Sequence, residues 1–380
     1  MNVEQVYTLV NTATGEALGD TSLVARDLSN VVDVGTAVFN GNAVDAYVKS
    51  LVNHIGKVIF VNRAYAGSVP TVLRDGWEFG SVVEKIRAEL PDAQANPSWT
   101  LTNGTSYDPN VFIEPEVHAK FFDSKVTFEL QLSVSELAVK QSFSNATQLG
   151  AFVSMLYNEI DKKMTIAIDQ LIMSTIDLAI GVTMDDESAG QNTTGTKAVN
   201  LLYEYNQKFG TSLTAADALT TPEFLKFATY MIGLYSDRLT KISKLFNVEG
   251  NARFTPDDRR QLVLLSDFAK AIGPYSLAPA YNEQYLKLPE ADTVPYWQGS
   301  GTAYAFADIS GIDIAHGADT FQYSGILGVV FDRDAIAVCN EDRRVTTQYN
   351  AKGEFWNNFY KFDCSYFADF GENIVVFYVA

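Results

Sequence analysis

The residues that most often carry chemistry are sparse and scattered in this chain. Only three histidines occur, His54, His118 and His316, and the gaps between them are too long for a shared helix face or hairpin. Zinc sites draw several nitrogen or sulfur donors from closely spaced positions, and neither His-Glu-x-x-His nor Cys-x-x-Cys is present. The two cysteines, Cys339 and Cys364, are too few for a disulfide framework; they fit a reducing compartment and leave a single bridge open. There is no Gly-x-Ser-x-Gly elbow, no P-loop and no Gly-x-Gly-x-x-Gly. Gly299-Ser300-Gly301 lacks the third glycine and a following helix, so it reads as a flexible loop. Asp369-Phe370-Gly371 spells a kinase magnesium motif, but only nine residues follow it, where a kinase needs a whole helical lobe.

Acidic pairs are plentiful: Glu114/Glu116, Asp185/Asp186, Asp257/Asp258, Asp332/Asp334 and Glu341/Asp342. A glycosidase requires two carboxylates held across a cleft. At a formal net charge of 28 − 46 = −18, these pairs read instead as solvated acids. Asp332-Arg333-Asp334 holds too few oxygen ligands for a calcium loop and reads as a charged turn. The 24 Phe and 19 Tyr are not interleaved with basic residues, which suits packing in a core and between subunits better than base stacking. The expectation is no catalytic residue, no metal and no cofactor, which leaves a binding or a structural protein.

The bulk composition narrows this further. With 47% apolar, 12% aromatic and 19% charged residues over 380 positions, the chain is neither disordered nor a low-complexity polymer, and its length suggests two lobes. Tight, sequence-independent nucleic-acid binding relies on cations that displace counterions, so the acidic balance argues against it. The N-terminus has no basic segment followed by an apolar block, and the longest purely apolar run, Ile374–Ala380, is far short of a membrane span. The chain reads as soluble.

The elements that would position these residues follow from periodicity. Residues 1–56 alternate weak helical pattern with turns, and suit an arm lying on other subunits as well as a packed element. Lys57-Val-Ile-Phe-Val61 reads as a short strand. From 62 to 118 the chain is rich in Gly, Pro and Asn-Gly, which fits a protruding arm better than the interior of a domain. Val126, Phe128, Leu130, Leu132 and Val134 alternate with polar residues, a strand with one covered face that we read as the arm's return leg. Asn145 and Gln148 open a helical stripe of Leu149, Phe152, Leu156, Ile160, Met164, Ile168, Leu171 and Ile176, predicted to run over 146–180 and to end at Gly181. The polar stretch 182–200 marks a lobe boundary. Thr221-Pro222 caps a further helix that Leu239, Ile242 and Leu245 could extend; Gln261–Leu265 reads as a buried strand, with Ser266 capping a helix after it. Ala335–Cys339, the aromatic alternation through Trp356–Tyr366, and Ile374–Val379 are three strands, making the end of the sequence core.

This order of elements resembles the major capsid protein of tailed bacteriophages, with its Hong-Kong-97-like fold. More specific are Val294-Pro-Tyr-Trp-Gln-Gly-Ser-Gly-Thr302, the stretch Gly325-Ile-Leu-Gly-Val-Val-Phe-Asp-Arg-Asp-Ala-Ile-Ala-Val338, Arg343-Arg-Val-Thr-Thr-Gln-Tyr-Asn-Ala-Lys-Gly-Glu-Phe355 and Phe370-Gly-Glu-Asn-Ile-Val-Val-Phe377, which look like signatures of capsid proteins from small tailed phages. The resemblance implies an α+β fold: an N-arm (1–56), an extended β-arm or E-loop with the start of the peripheral domain (57–134), the peripheral domain with its spine helix (135–181), an axial domain (182–325), and strands returning to the peripheral sheet (326–380). It implies pentamers and hexamers closing into an icosahedral head around double-stranded DNA touched only loosely and non-specifically. It implies a portal and a scaffolding protein as further partners, and no membrane. The protein would be made in the host cytoplasm and reside in the virion. The fold's type member joins an E-loop Lys to a neighbour's Asn; no motif equates Lys85 with that Lys or Asn357 and Asn358 with that Asn, so no crosslink is inferred. Expected inter-subunit contacts are Trp77, Glu78 and Phe79 on the E-loop, and Pro295, Tyr296, Trp297 and Gln298 near the capsomer axis, with the turn 185–195 also approaching it. The competing readings are an encapsulin-type shell with the same fold and a non-assembling carbohydrate-binding protein.

Overall fold

Three helices come first: α1 (Val3–Leu18), α2 (Val31–Asn40) and α3 (Val44–Asn62). Val6, Leu9, Val10, Ala13, Val34, Val38, Tyr47, Val48 and Leu51 from these helices are all buried in the subunit's own core. This corrects the expectation of an outlying N-terminal arm: the apolar stripes already have partners within the chain. The run Lys57–Val61 is not a strand but the last part of α3. Extending a helix that is already nucleated costs little, whereas a lone strand needs an edge to join. The computed structural model describes residues 3–19, 24–40, 43–62, 69–74, 83–88, 96–110, 112, 114, 117–277, 291–298 and 305–380.

After the short β1 (Leu73–Arg74), strands β2 (Val83–Ala88) and β3 (Val117–Phe122) pair antiparallel as a two-stranded ribbon of their own. The alternating strand is β4 (Lys125–Ser135), and its covered residues are those the period of two picks out. It is not the return leg of the arm: it pairs along its whole length with β12, at the edge of a different sheet. The arm is the β2–β3 ribbon with the segment 89–116 that joins its two strands.

A short helix, α4 (Glu136–Ser142), leads into α5 (Ala146–Asp186), capped by the Asn145 side chain, which accepts from the Gln148 N–H at 2.8 Å. At 41 residues it is about 61 Å long. It runs past Gly181, where it was expected to stop. A Cβ at Gly181 would lie 2.9 Å from the Cβ of Phe321, so this glycine lets a strand pack closely on the helix instead of ending it. Gly181→Leu should therefore destabilise the subunit by about 1–3 kcal/mol through overpacking, with helix content unchanged. Urea unfolding alongside far-UV circular dichroism checks this, and a variant as stable as the parent would refute the close-packing role. By length and composition α5 could cross a membrane, but its apolar face is covered by the strands and helices of the subunit.

The chain continues with β5 (Ala198–Asn200), α6 (Leu201–Phe209), α7 (Ala215–Ala218) and α8 (Pro222–Leu239). Pro222 opens α8 as expected, but the helix stops at Leu239, and Ile242 and Leu245 lie exposed in the following loop. Then come β6 (Arg260–Leu265), α9 (Ser266–Leu277), β7 (Asp292–Val294), α10 (Phe306–Ile309), the hairpin β8 (Ile312–His316) and β9 (Asp319–Tyr323), and β10 (Ile326–Asp332). The chain continues with β11 (Ile336–Asn350), β12 (Phe355–Ala368) and β13 (Ile374–Tyr378).

Two main sheets result. One has the order β1-β11-β12-β4, the other β5-β13-β10-β6-β7. The segment 326–380 therefore does not return to a single sheet: β11 and β12 join β4, while β10 and β13 complete the sheet begun by β5 and β6. The Asp332–Asp334 turn between β10 and β11 is where the chain crosses from one to the other. Helix α5 contacts strands of both sheets and, at its other side, α1 and α3.

Candidate assembly surfaces

The ribbon β2–β3 holds Lys85 directly opposite Lys120, and Ile86 opposite Ala119. Beyond it, residues 96–114 carry Trp99 at 95% exposure, Phe112 at 84% and the exposed Leu101 and Tyr107, with no Lys or Arg among them. Asn96 caps a single turn, Pro97–Trp99, by accepting from the Ser98 N–H at 3.0 Å. That turn presents the indole to solvent. On the ribbon itself Ile86, Val117 and Phe121 are also exposed. These large apolar side chains face water in the isolated subunit and are candidates for a contact surface.

The root of the arm is polar. Lys85 donates to Asp369 Oδ2 at 2.8 Å and Lys120 to Asp369 Oδ1 at 2.9 Å. Asp369 is 3% exposed, and its Oδ1 also accepts the Gly371 N–H at 3.0 Å. Burial alone would raise this carboxyl, but its hydrogen bonds from Lys85, Lys120 and Gly371 outweigh that and hold it below the ordinary 3.8. Lys120 also pairs with Glu249; Glu372 lies 3.9 Å from Lys85 and 3.1 Å from Arg253. The Phe122 and Phe367 rings stack at 4.9 Å beneath the Lys85 ammonium.

Trp297 is not a surface contact. Its side chain is 1% exposed, its indole N–H donates to the Ile326 carbonyl at 3.0 Å, and its backbone N–H donates to Ile309. A side chain already covered by its own subunit has no surface left to offer a neighbour, which corrects the expectation for this residue. Gln298 holds the same loop down, donating to the Asp313 carbonyl at 2.7 Å and accepting from its N–H. Pro295 and Tyr296 remain at the surface. Trp77, Glu78, Phe79 and Gly299–Gly301 lie outside the described residues. In the 187–198 turn the Glu187 carboxylate accepts from the N–H groups of Thr196, Lys197 and Ala198, and a side chain at Gly195 would collide with it.

No group of three or more His, Cys, Asp or Glu among the described residues is placed to hold a metal. His54 pairs with Glu16 at 2.9 Å, a structural contact between α3 and α1. Cys339 stands opposite Ser365 and Cys364 opposite Asn340, so the two thiols project from opposite faces of the β11–β12 pair and form no disulfide. Asp177, in the buried part of α5, has an oxygen with no hydrogen-bond partner among the described residues, and burial pushes its carboxyl well above the usual range.

The described residues thus present exposed apolar side chains and bring no cluster of metal-ligating groups together, and comparison with known families decides what kind of protein this is. The model of the Phi29-like phage major capsid protein family matches residues 10–378. The chain belongs to that family. Among solved structures, this capsid protein is similar to a chain of the Staphylococcus phage Andhra capsid (TM-score 0.53, 10% identity, 81% of this chain and 83% of that one). It is also similar to a chain in the structure of head fiber and inner core protein gp22 of native bacteriophage P68 (TM-score 0.52, 7% identity, 84% and 86% covered). At these identities the likeness concerns the fold, an α+β capsid fold of Hong-Kong-97-like type. Comparison with curated proteins finds no match. The major capsid protein is a structural component of the phage virion and not an enzyme, and the family assignment favours the phage head over the encapsulin and carbohydrate-binding readings. Sequence reasoning missed Trp99, Phe112, Lys120 and Asp369. The exposed tryptophan sat in a Pro-rich segment with no periodicity to point at it. Asp369 was hidden inside a motif set aside as accidental.

Proposed function

We propose that this capsid protein assembles as pentamers and hexamers into an icosahedral head around double-stranded DNA, each β2–β3 arm lying on the next subunit of a closed ring. The single observation that carries this is the apolar arm: Trp99, Leu101, Tyr107 and Phe112 face water in the isolated subunit. Head-to-tail contacts that close on themselves give rings, and a protrusion on one side with a receiving surface on the other is what such contacts need. Trp77, Glu78 and Phe79, just before β2, belong to the same contact surface in this proposal, and Pro295 and Tyr296 to one near the ring's axis. The division into arm, peripheral and axial parts follows the family's plan, with the helical layer α1–α3 taking the place of an extended N-arm. A portal at one vertex, a scaffolding protein during assembly and synthesis in the host cytoplasm complete the proposal. A shell lined by a chain of net charge −18 would keep packaged DNA from sticking to it.

The test is electron microscopy and size-exclusion chromatography of the purified protein across salt and protein concentrations, with any scaffolding protein supplied. Shells or capsomer rings are expected. The double variant Trp99→Ala, Phe112→Ala should remain a folded monomer with at least about a tenfold loss of assembled material, since about 1.4 kcal/mol per contact corresponds to that factor. Assembly equal to the parent would remove the arm from the interface.

A further inference from the structure

We infer that Asp369 is an electrostatic latch that fixes the angle of the β-arm against its own subunit and so presents the arm to a neighbour. The second half of this statement rests on the assembly reading above; the first half does not. Lys85 and Lys120 are register partners across the ribbon. Like charges placed directly opposite each other destabilise a pair of strands. Here they are reconciled by one carboxylate, each ammonium taking a different oxygen of Asp369 at 2.8 and 2.9 Å. A two-stranded ribbon is marginal by itself, and among the described residues β2 and β3 pair with no third strand. Among those residues the backbone holds it only through the two-residue link from β3 into β4, where the Ser124 carbonyl accepts from the Tyr366 N–H at 3.1 Å, so side chains at the root carry the rest of its orientation.

Those side chains are ionic, and Arg87 and His118 of the ribbon line the same pocket. Lys85, Lys120 and Arg253 face Asp369, Glu372 and Glu249. Lys85 adds a hydrogen bond to the Asp334 carbonyl, so the latch also grips the turn between the two main sheets. Removing one partner of a buried charge pair is far more damaging than the pair is stabilising, because the charges left behind stay desolvated and unpaired. In an Asp369→Asn variant two opposed lysines would lose their shared anion, and the cheapest relief is for the ribbon to swing out and hydrate them. The remaining fold does not depend on that carboxylate: the Asp369 backbone N–H keeps its bond to Ala335, and β12 and β13 on either side are paired along their own sheets. Gly371 is fitted to the site, since a side chain there would strike Asn251, Glu249 and Lys120.

The experiment measures the arm in the full-length monomer, before any assembly. Spin labels are placed through Val117→Cys, exposed on the ribbon, and Lys352→Cys on the exposed turn between β11 and β12; the native Cys339 and Cys364 are buried. Double electron–electron resonance should give one narrow distance in the parent and a broad spread in Asp369→Asn, while Asp363→Asn, a carboxylate on the preceding strand β12 paired with Arg344, leaves the narrow distance intact. If Asp369→Asn does not fold, Lys85→Gln with Lys120→Gln carries the test, with the same loss of the narrow distance expected. An unchanged distribution in a folded variant overturns the latch. A freed arm in a protein that still forms normal shells upholds the latch and instead sinks the reading that the arm's angle matters to the neighbour.

Discussion

A chain ending at Ile374, with residues 375–380 removed, should yield no soluble, folded subunit. Strand β13 is interior to its sheet, antiparallel to β10 on one side and parallel to β5 on the other. Val375, Val376, Phe377, Tyr378 and Val379 are each at most 2% exposed. At about 1.5–3 kcal/mol per large apolar side chain buried, their loss approaches the roughly 5–15 kcal/mol that a whole domain has in reserve. Further ties go with them: the Tyr378 hydroxyl bonds the Gly190 carbonyl at 3.2 Å, and the Asn200 amide donates to the Ala380 carbonyl at 3.1 Å. The measurement is the soluble fraction after expression, followed by a thermal melt watched by circular dichroism. A soluble truncated protein with a sharp melt would show that the sheet tolerates losing an inner strand, against the packing described here.

Trp297→Ala should cost about 3–5 kcal/mol of subunit stability, as expected for deleting a buried tryptophan, with the Ile326 carbonyl also losing its donor. Its neighbour provides the contrast. Tyr296 is 41% exposed, so Tyr296→Ala should leave the melting temperature of the monomer nearly unchanged and register, if anywhere, in assembly. Denaturant titration of both monomers separates the two residues. Equal, small losses of stability would return Trp297 to the surface.

What could be read directly from the residues was whatever a single periodicity governs. The alternation in β4 and β12 reports a sheet with one face covered, and the Asn145 cap with its apolar stripe reports α5, because each pattern is local and repeated. The limits of α5 were less legible: Gly181 looks like a stop signal in one dimension and is a close-packing point in three, opposite Phe321. Residues 57–61 spell a strand, and only the buried helix ahead of them makes them helical. Which strands share a sheet is a non-local property, and nothing in the spacing of Ile374–Val379 says that it joins β5 and not β12. The candidate contacts divided in the same way. Trp297 and Tyr296 are adjacent aromatics, and burial alone tells them apart. Asp369 acquires its role from two lysines 284 and 249 positions away, a pairing no motif records.

The position of β13 also bears on synthesis. Its partner β5, at residues 198–200, is made well before it, but the sheet cannot close until residue 378 has cleared the ribosome. Long-range pairing of this kind is slow and leaves apolar edges open in the meantime. A nascent capsid subunit therefore stays incompetent to join a shell through most of its translation. Polysomes carrying half-made chains are spared from being stitched into a growing head, and any message cut short before that strand makes a product the shell does not accept.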